Sequence, residues 1–364
     1  MKRLTIFRSL ALPLVLLMVL AACTGGGASA GASEAESEAP ESQAPESAGE
    51  ESTAPSEPAV EPVPFTVAFT SIGVGSMSLL AAIDDLREQG YEIETPEIAE
   101  SELVTEGVAQ GEFQFGSGAN NSTLAAIAQG ASIRWIVDRV LNEWQVYSRE
   151  GIEGCEAVVG SRVAIHSPGS VSGAMLRDWI NNNCPEDVAA SYEPLIIEGS
   201  QNRLAALLAD QIDTSPVEFG DALILENEGG FTRVVSFAED LPGLHPTSVY
   251  GNADWMAENP GAVEALIRAL LEQNRRINSE DGYLMELYTE YLPEEAAGEN
   301  AEAIVQAYVD AGLFPDDGGL DDEAVQYTID FFGPDGTGDI EDVLSPDQVA
   351  DLSYLEAVLD ELGG

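Results

Sequence analysis

The sequence predicts an α/β protein whose sheets are covered on both faces by helices and whose chain folds in two lobes. From Pro64 to about Asp210, short apolar runs alternate with amphipathic segments of helical length, which is the pattern of successive strand–helix units. About 300 residues follow the N-terminal region, more than one hydrophobic core usually holds. From Asn252 onward the periodicity is helical, so we expect a helical C-terminal region after the two lobes.

The first 22 residues have the organisation of a signal peptide. Lys2, Arg3 and Arg8 precede the apolar run Leu10–Leu20, and small residues lead up to Cys23. The run is shorter than the about 20 residues that cross a bilayer, which favours a cleaved secretory signal. With a cysteine at the cut site it resembles a bacterial lipoprotein signal, so we expect export, cleavage and lipid attachment to Cys23. An ordinary signal peptide with an incidental cysteine is the alternative.

Residues 23–63 have the composition of a disordered, acidic tether. They consist mainly of Ser, Glu, Pro, Ala and Gly, with almost no large apolar side chains to offset the entropy of ordering. Repulsion among the glutamates and the interspersed prolines favour an extended chain. We therefore expect this segment to hold the folded part away from the membrane.

The net charge of −51 limits the partners of the chain. Its only lysine is Lys2, and 65 acidic residues stand against 14 basic ones. Nucleic acid and anionic lipid surfaces require cations that this chain lacks, so neither is expected as a partner. Membrane contact is expected through the lipid only, because no apolar run after Cys23 is long enough to cross a bilayer. We interpret the acidity as a general surface property, for which adaptation to salt is one explanation.

Two cysteines remain once Cys23 is used. Cys155 and Cys184 lie in one segment of an exported chain, which predicts a disulfide between them. Two free buried thiols, or a nucleophilic cysteine, are the alternatives. Neither cysteine has a base near it in the sequence, which argues against a nucleophile.

Residues 64–150 begin with a strand, a tight polar loop at Ser71–Ser76 and a helix that ends at Gly90. The alternation then continues. The predicted strands and helices are Pro64–Thr70, Met77–Gln89, Tyr91–Glu94, Leu103–Gln110, Gly111–Gly116 and Ser122–Gln129.

Residues 151–244 repeat this organisation without a detectable sequence repeat. The predicted elements are Arg162–Ile165, Ala174–Asn181, Tyr192–Glu198 and Asn202–Asp210, the last with Ser200 as its N-cap. Helices are predicted for the C-terminal region at Pro260–Asn278, Tyr283–Tyr291, Ala301–Ala311, Asp322–Phe332 and Pro346–Leu362.

Three motifs in succession carry a family resemblance. They are a helix running into a Gly-acid-hydrophobe strand, an alanine-rich helix followed by a turn and a strand, and a strand running into a Gly-Ser loop: Leu103–Gly116, Ala125–Ile136 and Val163–Ser170. Their order and spacing resemble the substrate-binding lipoproteins of ABC importers for nitrate, sulfonates, taurine and thiamine-pyrimidine-like solutes. The usual Gly-Asp of the family is here Gly111-Glu112, and the resemblance ends at about Pro293.

The resemblance implies a two-lobed type II periplasmic-binding-protein fold with a mixed sheet in each lobe. Lobe I would comprise residues 64–150 and 245–364, the latter including the helical C-terminal region, and lobe II residues 151–244. The implied function is that of an extracytoplasmic solute-binding component, a monomer without cofactor or enzymatic activity. It would capture a small polar or anionic organic solute and deliver it to an ABC permease and its ATPase subunits, at the outer face of the cytoplasmic membrane, on the cell surface or in the periplasm.

A solute is expected at the carboxyl ends of the strands, where loops and helix N-termini face outward. Helix N-termini offer free N–H groups and a partial positive charge, and hydroxyl and amide side chains can complete the hydrogen bonds around a polar ligand. Each of these residues is equally explained as a cap or turn residue. The candidates are Thr70, Ser71, Gly73, Ser76, Ser117, Asn120, Asn121, His166, Ser167, Ser170, Ser172 and Gln201.

Three charged residues complete the candidate set. Arg134 and Arg139 are rare cations that can grip an anion through two parallel hydrogen bonds, with a surface ion pair as the alternative. By the resemblance, Glu218 lies on the cleft side and would pair with a ligand ammonium. His166 is placed at the cleft and His245 at a hinge or turn; the two are too isolated in sequence to predict a metal site.

Two other classes of function remain open at this point. A sensory or scaffold lipoprotein would bind a protein partner through the acidic surface. An enzyme on the same fold is disfavoured, because the sequence lacks a phosphate-binding loop, a Gly-x-Ser-x-Gly elbow and a metal-ligand cluster.

Overall fold

The computed structural model describes residues 62–363 of the 364-residue chain. The signal peptide, Cys23 and the tether as far as residue 61 lie outside these residues, so what the sequence predicts for them stays a prediction. Among the helices of residues 62–363, none is long and apolar enough to cross a bilayer.

The strands of the described part form three sheets. They are β1 (Phe65–Phe69), β2 (Ile93–Glu94), β3 (Phe115–Ala119), β4 (Ile133–Val137), β5 (Gln145–Arg149), β6 (Ala164–Ile165), β7 (Leu195–Ile196), β8 (Thr214–Val217), β9 (Phe231–Ser236) and β10 (Thr247–Asn252).

The first sheet has five strands in the order β2-β1-β3-β10-β4. Strand β1 runs parallel to β2 and β3, with Val67 opposite Phe115, whereas β10 runs antiparallel to β3 and β4. Val67, Ala68 and Phe69 follow one another along β1 and are all 0% exposed. Since successive side chains point to opposite faces of a sheet, both faces of this sheet are covered.

The second sheet has the order β8-β5-β9, with both neighbours antiparallel to β5. Strands β6 and β7 form a separate parallel pair, and a single parallel bridge between Val163 and Thr214 connects that pair to β8. The predicted α/β class with mixed sheets is confirmed.

Helices make up most of the remaining described chain. They are α1 (Met77–Glu88), α2 (Ser101–Ala109), α3 (Asn120–Ala128), α4 (Val171–Asn183), α5 (Glu186–Ala190), α6 (Ser200–Leu208), α7 (Phe219–Glu228), α8 (Phe237–Asp240), α9 (Ala253–Glu258), α10 (Pro260–Ser279), α11 (Tyr283–Tyr291), α12 (Pro293–Ala296), α13 (Ala301–Asp310), α14 (Asp322–Phe332), α15 (Pro346–Val349) and α16 (Ser353–Leu362).

Helix α10 shows how the sequence builds this layer. Pro260 occupies its first turn, where the missing N–H has no intrahelical partner in any case. Val263, Leu266, Ile267 and Leu270 recur at helical spacing and are 0% exposed. This apolar stripe packs against α1 and α16, which ties the C-terminal helices to the first lobe.

Strand β3 begins later than the predicted strand Gly111–Gly116. Gly111 has φ +74° and ends helix α2, and the N–H groups of Glu112 and Phe113 both donate to the Gly107 carbonyl. The Phe113 ring occupies the space where a Cβ on Gly107 would lie. These contacts turn residues 111–114 back on the helix, so the strand takes up the Ser-Gly residues that follow.

Other elements also differ from the sequence prediction. Strand β5 was not predicted, because its sequence mixes polar and apolar residues without a clean alternation. Tyr192–Glu198 is reduced to the two residues of β7. The last predicted helix is divided into α15 and α16, because Ala350 forms a parallel bridge with Trp135 and the N–H of Asp351 donates to the Trp135 carbonyl.

The predicted disulfide is present. Cys155 and Cys184 are bonded, with their Cα atoms 5.6 Å apart. The bond joins the segment after β5 to the end of α4, so it closes a loop within the second lobe.

Candidate functional site

Two crossovers connect the first and second sheets. Residues 138–144 lead from β4 to β5, and residues 241–246 lead back from α8 to β10. Because β5 pairs with β8 and β9, the chain has entered the second sheet by Gln145, before the expected lobe boundary at residue 150. The division into lobes otherwise remains a proposal.

A cavity of about 50 Å³, which we call the polar chamber, lies between these elements. It is bordered by the carboxyl ends of β1, β3, β6 and β8 and by the first crossover. Seven of the fifteen candidate residues line it: Thr70, Ser71, Arg139, His166, Ser170, Ser172 and Glu218.

Helix α4 directs its N-terminus at the polar chamber. The Ser170 hydroxyl caps the helix by accepting from the Gly173 N–H at 3.3 Å, and Val171 and Ser172 also line the chamber. Helix α4 has thirteen residues, and their aligned peptide dipoles give this end a partial positive charge. The arrangement favours a negative or strongly polar ligand group.

Hydrogen bonds join the two sides of the chamber. The Asn121 side chain donates to the Gly169 carbonyl at 2.9 Å. His166 lies between two backbone groups, with the Gly199 N–H donating to Nδ1 at 3.0 Å and Nε2 lying 2.8 Å from the Ala99 carbonyl. Since Nδ1 accepts, Nε2 carries the proton and donates to Ala99. The lobes are therefore held in contact by groups that lie beside the chamber.

Among the described residues that line the polar chamber, Arg139 is the one buried cation. It is 7% exposed, and its Nε donates to the Ser117 hydroxyl at 2.9 Å. Its Nη1 has no hydrogen-bond partner in the described structure. A buried guanidinium nitrogen without a partner costs free energy, so it is ready to receive an acceptor from a ligand.

Arg134 lies elsewhere, partly buried on β4, where its Nη1 donates to the Ile133 carbonyl. Within residues 62–363, neither Arg134 nor Arg139 has a carboxylate within 4.0 Å. The alternative of a surface ion pair therefore describes neither arginine. Of these two arginines, Arg139 is the one that lines the polar chamber and can contact a solute there.

The other candidates outside the polar chamber divide into two groups. Gly73 and Gln201 line a second cavity described below. Ser76, Asn120 and Ser167 make hydrogen bonds that shape loops: with Ser71 and Gly73, with His245 and Ser248, and with Ser170 respectively. Ser200, expected to cap α6, is instead its first residue, and its hydroxyl accepts from the Glu218 N–H at 2.9 Å.

Glu218 follows β8 directly and is the N-cap residue of α7. Burial is the main cause that raises its pKa to about 8, with Glu143 and Asp221 adding to the effect and two arginines opposing it. Burial likewise raises the pKa of Asp221 to about 6 and raises the pKa of Glu143. Tyr308 donates to Glu143 and accepts from the Gly220 N–H.

Arg203 is a buried cation close to the carboxylates of Glu218 and Asp221. It is 0% exposed, donates to the carbonyls of Pro216 and Ile197, and lies over the Trp144 ring at 5.9 Å. Burial lowers the pKa of Arg203 to about 10, and the carboxylates of Glu218 and Asp221 oppose this shift.

Glu143, Arg203, Asp221 and Tyr308 were not among the sequence candidates. Asp221 carried a usable signal, because it follows Glu218 by three residues at a helix start and so shares its helix face. Glu143 lies in a crossover without a motif, and Tyr308 lies in a helix that looks purely structural.

A larger cavity of about 370 Å³, which we call the large chamber, lies on the other side of Glu218. Helices α6 and α7 of the second lobe form one wall, and the α11–α13 region forms the other. The loop after β1 separates the two chambers: a Cβ on Gly73 would lie 2.6 Å from Glu218 Oε2.

The crossovers carry a separate buried pair. His245, in the second crossover, contacts Asp138, in the first, through Nδ1. Neither histidine belongs to a group of three or more potential metal ligands among the described residues.

Comparisons with known proteins agree with this architecture. Residues 86–273 match the family model described as NMT1/THI5 like. A search of curated proteins finds no match.

Several solved structures share the fold. The alkanesulfonate-binding protein SsuA from Xanthomonas axonopodis pv. citri superposes with a TM-score of 0.61 at 16% identity, covering 80% of this chain and 99% of that one. The aliphatic sulphonate binding protein SsuA from Escherichia coli gives 0.58 at 14%, with 80% and 92% covered. The nitrate-binding protein NrtA from Synechocystis PCC 6803 gives 0.60 at 12%, with 83% and 89% covered.

Proposed function

Because the chain belongs to the NMT1/THI5-like family, we propose that it is the extracytoplasmic solute-binding component of an ABC importer. It captures a small polar organic solute between its lobes and delivers it to a permease whose partner subunits hydrolyse ATP. The similar solved structures include two sulfonate-binding proteins and a nitrate-binding protein, which supports this class of function.

The observation that carries the proposal is the polar chamber. Arg139 lines it and has a buried nitrogen without a partner in the described structure, and the capped N-terminus of α4 lines it from the other lobe. A site assembled from both lobes favours binding coupled to closure, since a solute that contacts both stabilises the closed arrangement. The candidate solutes are sulfonates, taurine, nitrate and pyrimidine-like molecules.

Binding fits the chamber better than catalysis. Both ring nitrogens of His166 are engaged by backbone groups, so this histidine holds the lobes and is not free to move a proton to a substrate. His245 is paired with Asp138 away from the chamber. We therefore assign the polar residues to solute recognition.

We also propose that the protein is exported and attached through a lipid on Cys23, as a monomer at the outer face of the cytoplasmic membrane. Mass spectrometry of the mature N-terminus tests this proposal: a diacylglyceryl cysteine at position 23 is expected. A Cys23→Ser variant that stays in the membrane fraction would contradict it.

Thermal unfolding of the full chain with a panel of solutes tests the binding function. Taurine, methanesulfonate, nitrate, thiamine precursors, amino acids and polyamines are compared in low and high salt. A ligand at a hundredfold excess over its dissociation constant adds about 2.7 kcal/mol, which raises the unfolding temperature by several degrees. If folded protein responds to no member of the panel, a sensory or scaffold lipoprotein becomes the better assignment.

A further inference from the structure

We propose that the solute carries a protonated amine or amidine on an apolar body, and that this cationic group binds Glu218 and Asp221 in the large chamber. The inference rests on the proposed function, because it assigns the chemical class of the solute. It excludes nitrate and simple alkanesulfonates and retains cations and zwitterions.

The acidic and basic side chains among the described residues that line the large chamber are all carboxylic acids. Glu218 and Asp221 line it from the second lobe, and Glu295 and Glu299 line it from the α12 region. No arginine, lysine or histidine is among the described residues that line it. Arg139 lines the polar chamber instead, beside Glu143 and Glu218, so of these two chambers only the polar one has an arginine in its described lining.

Asp221 supplies a second, independent observation. It is 8% exposed, and its Oδ2 is buried without a hydrogen-bond partner in the described structure. A buried carboxylate oxygen left unpaired is costly, and an N–H donor from a ligand removes that cost. Its place in the first turn of α7 puts it on the same helix face as Glu218, so one cationic group can reach both.

The rest of the chamber suits an organic body. Leu204, Ile224 and Ile304 form apolar walls, and Tyr288 and Tyr308 add aromatic rings. Such rings attract cations as well as apolar groups. The volume of about 370 Å³ lies within the roughly 300–1,000 Å³ typical of small-molecule sites.

Matched pairs of probes isolate the charge. Benzamidine is compared with neutral benzamide, and tyramine with tyrosol, in which a hydroxyl replaces the ammonium. Isothermal titration calorimetry of the full chain at pH 8.5 should show each cation binding at least ~10-fold more tightly than its neutral partner. Taurine and methanesulfonate are titrated in parallel.

Three variants locate the binding. Glu218→Gln and Asp221→Asn should each weaken cation binding at least ~10-fold, since each removes a charge-assisted hydrogen bond. Glu302→Gln, a matched change at an exposed position of α13 outside the chamber lining, should leave binding unchanged. Thermal unfolding confirms that each variant is folded.

The outcomes separate the two proposals. Equal binding of cations and their neutral partners, or cation binding that both variants retain in full, overturns the cationic assignment. Binding of methanesulfonate without any binding of the cations also overturns it, while the solute-binding function stands. If no solute of any class binds to folded protein, both proposals fail.

Discussion

His245 and Asp138 form a buried pair that joins the two crossovers between the sheets. Asp138 is 0% exposed, and His245 contacts it through Nδ1 while the Ser248 hydroxyl donates to the other carboxylate oxygen at 2.5 Å. Any rotation of one lobe against the other must pass through these two segments. The pair therefore fixes the relative position of the crossovers at a single point.

The pair should make stability depend on pH. Burial by itself lowers the pKa of His245, but Asp138 outweighs it, with Asp317 and Asp321 adding to the same effect, so the pKa is raised overall. Because the folded pKa exceeds the unfolded one, the stabilisation is fully present below about pH 6.5 and is lost as pH rises through the folded value.

Urea unfolding of wild type and His245→Gln between pH 5.5 and 9 measures this contribution. We expect the variant to be less stable by about 3 kcal/mol at the acid end, since it leaves Asp138 buried without its partner. The difference should shrink toward pH 9. A difference that does not change with pH would contradict the assignment of a protonated histidine.

Gly73 is predicted to set the position of the Glu218 carboxylate between the two chambers. A Cβ at this position would lie 2.6 Å from Glu218 Oε2, the end of a flexible side chain, so Gly73→Ala should displace that carboxylate while the protein stays folded. Calorimetric titration should therefore show weaker binding of tyramine to the variant than to wild type. Thermal unfolding should show little change in stability, and an unchanged affinity for tyramine in the folded variant would contradict this account.

Arg139 and Arg134 offer a matched pair for testing the polar chamber. Arg139→Gln removes the buried guanidinium that lines this chamber. It should weaken binding of the solute identified by the thermal-unfolding panel at least ~10-fold. Arg134→Gln changes a residue outside both chambers and should leave affinity unchanged. Calorimetric titration of both variants decides, and equal loss in the two would remove Arg139 from the site.

Asp221 should destabilise the unliganded protein. Its pKa is raised by burial to about 6, so the folded state holds a proton that the unfolded state has released over the range from about 4 to 6. The free energy of unfolding should therefore fall with rising pH across this range, by about 3 kcal/mol in total. Asp221→Asn should be more stable than wild type at pH 7.5 and equal to it near pH 3.5. A variant that is less stable at pH 7.5 would contradict this account.

The fold was more predictable than the site. Alternating apolar runs and helical apolar stripes are local patterns, and they predicted the bounds of α1, α10, α11 and β1 nearly to the residue. Strand β5 carries no such signal, because its position in the sheet is set by pairing with two distant strands. The residues before Phe115 turn back because the Phe113 ring packs on Gly107 and two N–H groups donate to the Gly107 carbonyl, which the apolar pattern does not record.

For the site, the sequence predicted the hydroxyls at the strand ends, Arg139 and Glu218, but not the other buried polar residues around Glu218. Thr70, Ser170 and Arg139 lie in loops whose position follows from the strand order. Glu143 and Tyr308 meet across 165 residues of sequence, so only the packing of α13 against the second lobe brings them together. Their contact depends on long-range folding, which single-residue patterns cannot encode.

The bridge between Ala350 and Trp135 gives the C-terminal region a protective role. Strand β4 is the outer strand of the first sheet, and without a neighbour it would expose a row of unpaired N–H and C=O groups. Such a row is a template for pairing with another molecule and leads to aggregation. By pairing with Trp135 in the middle of this strand, the segment that precedes α16 interrupts the edge and hinders sheet-to-sheet pairing between molecules.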